Sequence, residues 1–564
     1  MNLNIKAVKQ NTYDVIVVGS GISGGWAAKE FTQKGLKTLL IERGRKLEHI
    51  KDYTTAMLPS WELPHHNQTT QQNLLDHPTQ SKSYAFNEGT KHFWVNDNQH
   101  AYEQEKPFDW IRGYHLGGKS LMWGRHSYRF SDLDFEANLR EGIGVDWPVR
   151  YKELAPWYSY VEKFVGISGQ NEGFAQLPDG DFLPAMPLNC VEDHFIKNVK
   201  KAMGRDATMG RIANLSQQHN GRGPCQHRNL CARGCPFSGY FSTLSATLPA
   251  AVETGNLTIR TDSIVSGVLY DENTKKAKGV SVIDALSGEK SDYFAKIVFL
   301  NASTLGTTFI LMNSVSDRFP NSLGNDSGEL GHNLMDHHHM TGASGEIHDY
   351  DDKYYFGRRP GGFYIPRFRN LDQNNRDYIR GFGYQGAGSR DNWQQARSQD
   401  GFGAEFKNAV TKPGSWRLGI QAFGEMLPYH ENHVRLDDTK KDEWGLPQLV
   451  ISCEYKDNEL AMRKDMRQDA IEMLEATGFK NITSFDNLHA PGLTIHEMGT
   501  ARMGKDPKTS VLNGNNQLHA VKNVFVTDGA CMTSSACQNP SLTYMALTAR
   551  ACDFAMKEMK AQRL

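Results

Sequence analysis

The stretch "YDVIVVGSGISGGWAAKEFTQKGLKTLLIERG", residues 13–44, constrains the fold of this chain more than any other. Residues 15–18 are a short apolar run of the kind that forms a strand buried on both faces. Gly19, Gly21 and Gly24 then make a G-x-G-x-x-G turn around Ser20, Ile22 and Ser23. Residues 26–34 read as a helix ended by Gly35, and residues 37–42 as a second strand closed by Glu42. Such a strand–turn–helix–strand unit brings backbone N–H groups up to a pyrophosphate at a helix N-terminus. Glu42, with Arg43 beside it, lies 23 residues after Gly19, about where an acid holds ribose hydroxyls. The alternative is a tight glycine turn with no ligand. The unit does not separate NAD from FAD. Its place near the start of the chain, with further motifs at the far end, favours FAD in a discontinuous domain.

At 564 residues the chain is too long for one core, so two or more domains are expected. A net charge of −1 leaves no electrostatic footprint for nucleic acid or an anionic membrane. No apolar run reaches the length of a membrane span. The opening "MNLNIKAVKQNTYD" has neither an apolar h-region nor a twin arginine. The expectation is therefore cytoplasm, or export on a partner's signal. Eight cysteines in so long a chain are no disulfide framework. Cys190, Cys453, Cys531, Cys537 and Cys552 read as buried thiols.

Two motifs stand near the C-terminal end. "HEMGTARMG" covers residues 496–504, and "NVFVTDGACMTSSACQNPSLTYMALTARACDFAMKEM" follows from Asn523. Residues 523–526 read as a strand and Asp528-Gly529 as its turn. Asn539-Pro540 opens a helix, Asn as a good N-cap and Pro as a good first residue. Leu542, Met545, Ala549, Cys552 and Met556 form its apolar face.

With these motifs, "LGGKSLMWGR" (residues 116–125) and "GHNLMDH" (residues 331–337), nearly the whole chain resembles the glucose–methanol–choline (GMC) oxidoreductases. The resemblance implies an α/β (α+β overall) fold: a discontinuous Rossmann-like FAD-binding domain and an antiparallel-sheet substrate-binding domain. The FAD domain is expected at 1–49, 80–185, 224–330 and 486–564, the substrate domain at 331–485, and insertions or lids at 50–79 and 386–416. The family oxidises alcohols by hydride transfer to flavin N5. It implies His496 as catalytic base and Asn539 as its partner. A histidine titrating near neutrality can take the hydroxyl proton, and an amide can orient that hydroxyl without titrating. The last helix would point its positive N-terminus at the flavin, favouring the anionic reduced form. An Asn539 side chain used as a cap could not also offer that oxygen to the substrate. Taken alone, His496 would read as one of 21 histidines satisfied in the structure.

By the same resemblance, FAD contacts are expected from Gly117, Gly118, Ser120, Met122, Trp123 and Gly124, and from Val265 in a strand-rich segment (residues 257–303) like the family's β-meander. Asp528, Gly529, Asn539, Pro540 and Thr543 complete the set. Met122 stands where some sugar oxidases of the family carry a histidine bonded to FAD, so FAD is expected to be non-covalent. "DHHHM" (residues 336–340) reads as an active-site wall or domain junction rather than a metal site, because adjacent residues of an extended segment face opposite ways. "YYFGRRPGGFYIPRFR" (residues 354–369) mixes aromatics and arginines, for sugar stacking or, more commonly, sheet packing.

"PCQHRNLCARGCP" packs Cys225, Cys231 and Cys235 into eleven residues. Its residues leave four readings open: disulfides, which an odd number fits poorly; zinc with His227 recruited; packed thiols; or an iron–sulfur cluster, for which the closing Cys-Pro is suggestive. The resemblance favours the last. Bacterial GMC sugar dehydrogenases carry a three-iron 3Fe-4S cluster on this spacing, which implies Cys225, Cys231 and Cys235 as ligands and a relay of single electrons from FAD. It also implies a small subunit bearing the export signal, a cytochrome c-type acceptor and a periplasmic location. The pattern, including "KDYTTAM", is similar to that of bacterial glucoside 3-dehydrogenases, implying oxidation of C3 of glucosides and disaccharides. Other options are oxidation at C1 or C2 of glucose-, gluconate- or fructose-like sugars, or an oxygen-using pyranose oxidase-like enzyme. An FAD-containing lyase would have no electrons to export, and a non-catalytic electron-transfer subunit would not need His496 and Asn539.

Overall fold

The computed structural model of the chain describes residues 11–354, 357–390 and 401–564. Its first layer is a seven-stranded sheet around Thr12–Val18. That strand pairs in parallel with Thr38–Ile41 on one side and Lys290–Leu300 on the other. Leu257–Arg260 extends the parallel part beyond Thr38–Ile41, and Val524–Val526 lies parallel to Lys290–Leu300. The antiparallel strands Ser263–Asp271 and Lys276–Asp284 run into Lys290–Leu300. Val15, Val17, Leu40, Ile297 and Phe299 are fully buried, the signature of strands covered on both faces.

The crossover helix is Ile22–Gln33, so it starts at the glycine turn, four residues before the position expected from sequence. Gly24 therefore lies inside it. A Cβ at Gly24 would stand 1.8 Å from the Gly19 carbonyl oxygen, so this glycine permits the helix to press onto the first strand. Trp26 is buried edge-on against Tyr160 and Phe164 of the helix Tyr151–Val165. The last helix, Ser541–Lys560, packs on both these helices, with Leu542, Met545, Ala549, Cys552 and Met556 buried.

The second layer is a six-stranded antiparallel sheet in the order Lys480–Asp486, His337–Ile347, Trp416–Glu425, Phe382–Arg390, Phe363–Ile365, Thr208–Met209. Helices Cys190–Met203 and Asp457–Ala476 cover one face. Val191, Phe195, Met462, Met466 and Met473 pack there against Tyr384, Ile420 and Ala422. Because strand side chains alternate, Gln385, Gln421 and Phe423 project from the opposite face, toward the first layer.

A small third sheet pairs His433–Lys441 with Pro447–Ser452, which runs parallel to Glu103–Gln104. It brings Pro447 and Leu449 beside Val265. Residues 50–79 form turns and the short helices Ser60–Glu62, Pro64–Asn67 and Gln71–Asp76 over the cysteine segment. Arg233 donates to the Leu58 carbonyl at 2.8 Å, and a Cβ on Gly234 would meet the Tyr53 ring at 2.5 Å. The segment 386–416, expected as an insertion or lid, begins within the sheet. Its first five residues complete the strand Phe382–Arg390, whose cross-strand pairing to Trp416–Glu425 overrides its weak periodicity. Residues 391–400, and residues 355–356 of the aromatic–arginine stretch, lie outside the described residues.

Candidate active site

Between the two large sheets runs a cleft of about 510 Å³. Gly19, Ser20, Gly21, Ile22, Ser23, Glu42, Arg43 and Val265 line one end, and Gly118, Ser120, Met122, Trp123 and Gly124 its flank. Asp528, Gly529, His496 and Asn539 line the far end. The dinucleotide turn is held by a relay. Gly117 N–H donates to Ser20 Oγ at 2.8 Å, Ser20 Oγ–H donates to Glu42 Oε2 at 2.5 Å, and Gly44 N–H donates to Glu42 Oε1 at 2.9 Å. Burial pushes the Glu42 carboxyl above its ordinary range, opposed by those bonds from Ser20 and Gly44.

This cleft fits FAD on evidence of its own. A Cβ added to Gly21 would meet no protein atom within 4 Å, so the space in front of that glycine is kept for something other than protein. Among the described residues, Arg43 Nε, Asn301 Nδ2 and Tyr544 Oη are buried on its wall without a hydrogen-bond partner. Buried polar groups normally have partners, and a long dinucleotide supplies them. The Arg43 guanidinium lies over the rings of Tyr114 and Trp444, 4.8 and 5.2 Å from their centres.

At the far end the hydrogen bonds set the protonation of two histidines. His337 is fully buried, and its Nε2 lies 2.9 Å from the Ala536 carbonyl oxygen. A carbonyl only accepts, so Nε2 carries the hydrogen. Burial holds the His337 pKa low, so the ring is neutral and its Nδ1 is a lone pair. That Nδ1 stands 2.8 Å from His496 Nδ1, which must then be the donor. His496 Nε2 is left with its lone pair facing the cleft. Burial, then the neighbouring His337, His339 and Lys119, push the His496 pKa well below its ordinary value.

Asn539 completes the pair. Its Oδ1 accepts from Gln385 Nε2 at 2.6 Å, which turns its Nδ2–H toward His496 Nε2 at 3.4 Å. The cap of the last helix is Pro540, with no side-chain capping bond. The asparagine is thus free of the capping role expected from sequence. Asp336 fixes the loop that carries His496. Its buried carboxylate accepts from Gly492 N at 2.7 Å, Thr494 N at 3.3 Å, His496 N at 3.2 Å and the Thr494 hydroxyl. Opposite stand Gln385 and Gln421, cross-strand partners on neighbouring strands, with Phe423 and His339 beside them.

A long cleft ending at a buried histidine whose Nε2 lone pair faces it has room for a dinucleotide with a small substrate beside it. Comparison with known proteins agrees. The family model described as GMC oxidoreductase matches in two parts, at residues 13–339 and 428–548. The chain belongs to the GMC oxidoreductase family. It is 28% identical over 559 residues to the 2-methyl-1,2-propanediol dehydrogenase of Mycolicibacterium austroafricanum, covering 96% of this chain and 94% of that one. To the fructose dehydrogenase large subunit of Gluconobacter japonicus it is 25% identical, covering 97% and 98%. An Aspergillus oryzae formate oxidase, solved in a study of FAD modification, matches its fold with a TM-score of 0.63 at 15% identity, covering 98% and 99%. This GMC oxidoreductase is an enzyme that binds FAD and acts on CH–OH donors of the sugar and alcohol class.

Four of the residues expected at the cofactor stand behind the wall of the cleft instead. Gly24 serves helix packing. Gly117, at φ 89°, shapes the loop that bonds Ser20. Pro540 caps the last helix, and Thr543 shares a hydrogen bond of 2.8 Å with the Tyr158 hydroxyl. Residues 336–340, read from sequence as an active-site wall or domain junction, bring Asp336, His337 and His339 to this end of the cleft. Residues that sequence reasoning missed are Gln385, Gln421 and Lys119; the glutamines sit in strands without a motif.

Just beyond the cysteine segment of this GMC oxidoreductase, Tyr240 bonds the loop at residues 121–125. Tyr240 Oη–H donates to the Leu121 carbonyl at 2.7 Å, and Arg125, over the Tyr240 ring at 5.1 Å, donates to the Trp123 carbonyl at 2.6 Å. Asn214 Nδ2 lies 3.7 Å from Cys225 Sγ, and Gly239 N 3.3 Å from Cys235 Sγ. Burial, together with the neighbouring cysteines, raises the Cys225 and Cys235 thiols. Among the described residues no three His, Cys, Asp or Glu side chains are gathered closely enough to hold a metal ion.

Proposed function

We propose that this chain is the catalytic subunit of an FAD-dependent sugar dehydrogenase that oxidises a secondary hydroxyl, C3 of glucosides and disaccharides, to the keto sugar. The observation that carries this reading is the His496 Nε2 lone pair, fixed through His337 and set beside the Asn539 amide, facing Gln385 and Gln421. Paired amides both donate and accept, as sugar hydroxyls do. The substrate O–H donates its proton to His496 Nε2, while Asn539 Nδ2–H holds the same oxygen. The carbinol C–H bond leaves with its two electrons, and C=O remains. Bound FAD supplies the acceptor for that hydride. The positive end of the helix Ser541–Lys560 opens on this part of the cleft, where Asn539 and Ser541 line the wall.

Cys225, Cys231 and Cys235 would hold a 3Fe-4S cluster, which would supply one-electron transfer toward a cytochrome c-type partner. Support comes from three neighbouring thiols, from the N–H groups directed at Cys225 and Cys235, and from the bond of Tyr240, just beyond this segment, to Leu121. Holding the cluster requires the three side chains to draw together from their present placement. A small subunit that carries the export signal would take the enzyme to the periplasm. No helix among the described residues is long and apolar enough to cross a membrane.

Iron and acid-labile sulfide per FAD in anaerobically purified protein, with an electron paramagnetic resonance spectrum, test the relay. The proposal expects about three irons per flavin and an oxidised-state signal that a glucoside abolishes. Full FAD and activity without iron would overturn the relay. Nuclear magnetic resonance of the product would overturn the C3 assignment if the new carbonyl stood at C1 or C2.

A further inference from the structure

Lys119 sits in the short helical turn Gly118–Leu121, on the cleft wall between the glycine turn and the catalytic loop. Gly118 presses this turn onto Gly21, with its Cβ position 3.5 Å from the Gly21 Cα. The Lys119 ammonium stands 3.2 and 3.4 Å from the two oxygens of Glu497, the residue after His496. These distances exceed the 2.7–2.9 Å or so of a tight charged hydrogen bond. Among the described residues, Glu497 pairs with no other cation and Lys119 with no other carboxylate. Both line the cleft, Glu497 3% and Lys119 25% exposed, so the lysine is the more open of the two. Its charge is felt at Glu497, at the base His496 and at Asp528. Glu497 is itself fixed, its backbone oxygen accepting from Thr304 Oγ1 at 2.5 Å.

We propose that Lys119 is the side-chain cation that offsets the negative charge FAD gains on reduction, and that Glu497 is the counter-charge that tempers it. The physical reason is location and looseness. A cation in a confined, partly desolvated cleft interacts strongly with charge that develops there. Its bond to Glu497 is long enough to leave part of its field for the cofactor. The pair also joins the flavin-side turn to the catalytic loop, so the charge is placed by both. This inference rests on the reading that the cleft binds FAD.

The test is the flavin midpoint potential of the holoenzyme at pH 8, with sulfite affinity as an independent probe of negative charge on the flavin. Lys119→Met is expected to lower the two-electron equilibrium constant for reduction at least tenfold, about 30 mV, and to weaken sulfite binding by a similar factor. Glu497→Gln is expected to move both in the opposite direction, and Lys119→Arg to restore wild-type values. A purely structural role would not give shifts of opposite sign. A flavin potential unmoved in Lys119→Met, or a shift of the same sign in Glu497→Gln, overturns the inference. Should Lys119→Met not fold, Glu497→Gln alone decides it, because a lowered or unchanged potential there also overturns it. Wild-type protein without a titratable flavin would defeat the FAD reading instead.

Discussion

A neutral imidazole has one N–H and one lone pair, and its neighbours decide which nitrogen carries which. At His496 that decision passes through two rings to the Ala536 carbonyl. His337→Phe keeps the buried ring volume but removes the acceptor at Nδ1. Flavin reduction by substrate should slow by on the order of 10²-fold, with FAD content unchanged; a variant reduced at the wild-type rate would remove His337 from the account. The pH dependence has a definite sign. His496 acts unprotonated, and its pKa is pushed well below 6.5. The wild-type rate should therefore hold as pH falls through 6.5 and drop only at more acid values. Half-loss at or above pH 6.5 would contradict the buried, neutral base. His496 and Asn539 were legible because their motifs are local. His337 was not, because "DHHHM" shows that its histidines alternate, but not that one of them meets a loop more than 150 residues away.

At the scale of elements, the βαβ unit was legible because each part carries its own signal: an apolar strand, a glycine turn, a helix and an acid. The roles of its glycines were not, since they depend on what lies opposite each missing Cβ. Gly21, at φ −66°, faces open cleft, while Gly24 faces the Gly19 carbonyl oxygen. Gly21→Ala should leave unfolding stability within about 0.5 kcal/mol yet bind FAD at least tenfold more weakly. Gly24→Ala should cost on the order of 2–3 kcal/mol whether or not FAD is present. Thermal melts of apoprotein and holoprotein separate the two; equal damage to the apoproteins would contradict the assignment. Residues 386–390, which end the strand Phe382–Arg390, were read as the start of an insertion or lid because the stretch from Gly386 is polar, glycine-containing and weakly periodic. Its order comes from pairing along its whole length with Trp416–Glu425, which no local pattern announces.

Across the whole molecule, two sheets made from interleaved parts of the chain meet at one cleft. The sequence shows these parts in chain order and leaves their meeting open. That is why the order of the motifs was readable, whereas the wall formed by Gln385, Gln421 and Phe423 was not. The cysteine segment lies under residues 50–79, and Tyr240 just beyond it bonds Leu121, a placement that in the proposed relay would separate oxidation of substrate from the exit of electrons. The most direct test of that separation is anaerobic mixing of the FAD-loaded enzyme with a glucoside, followed by a one-electron acceptor. Wild type should bleach its flavin and then reduce the acceptor. His496→Ala should keep FAD but not bleach, and Cys231→Ser should bleach without fast transfer to the acceptor. Bleaching of His496→Ala at the wild-type rate would contradict the central claim, that His496 Nε2 is the base of this cleft.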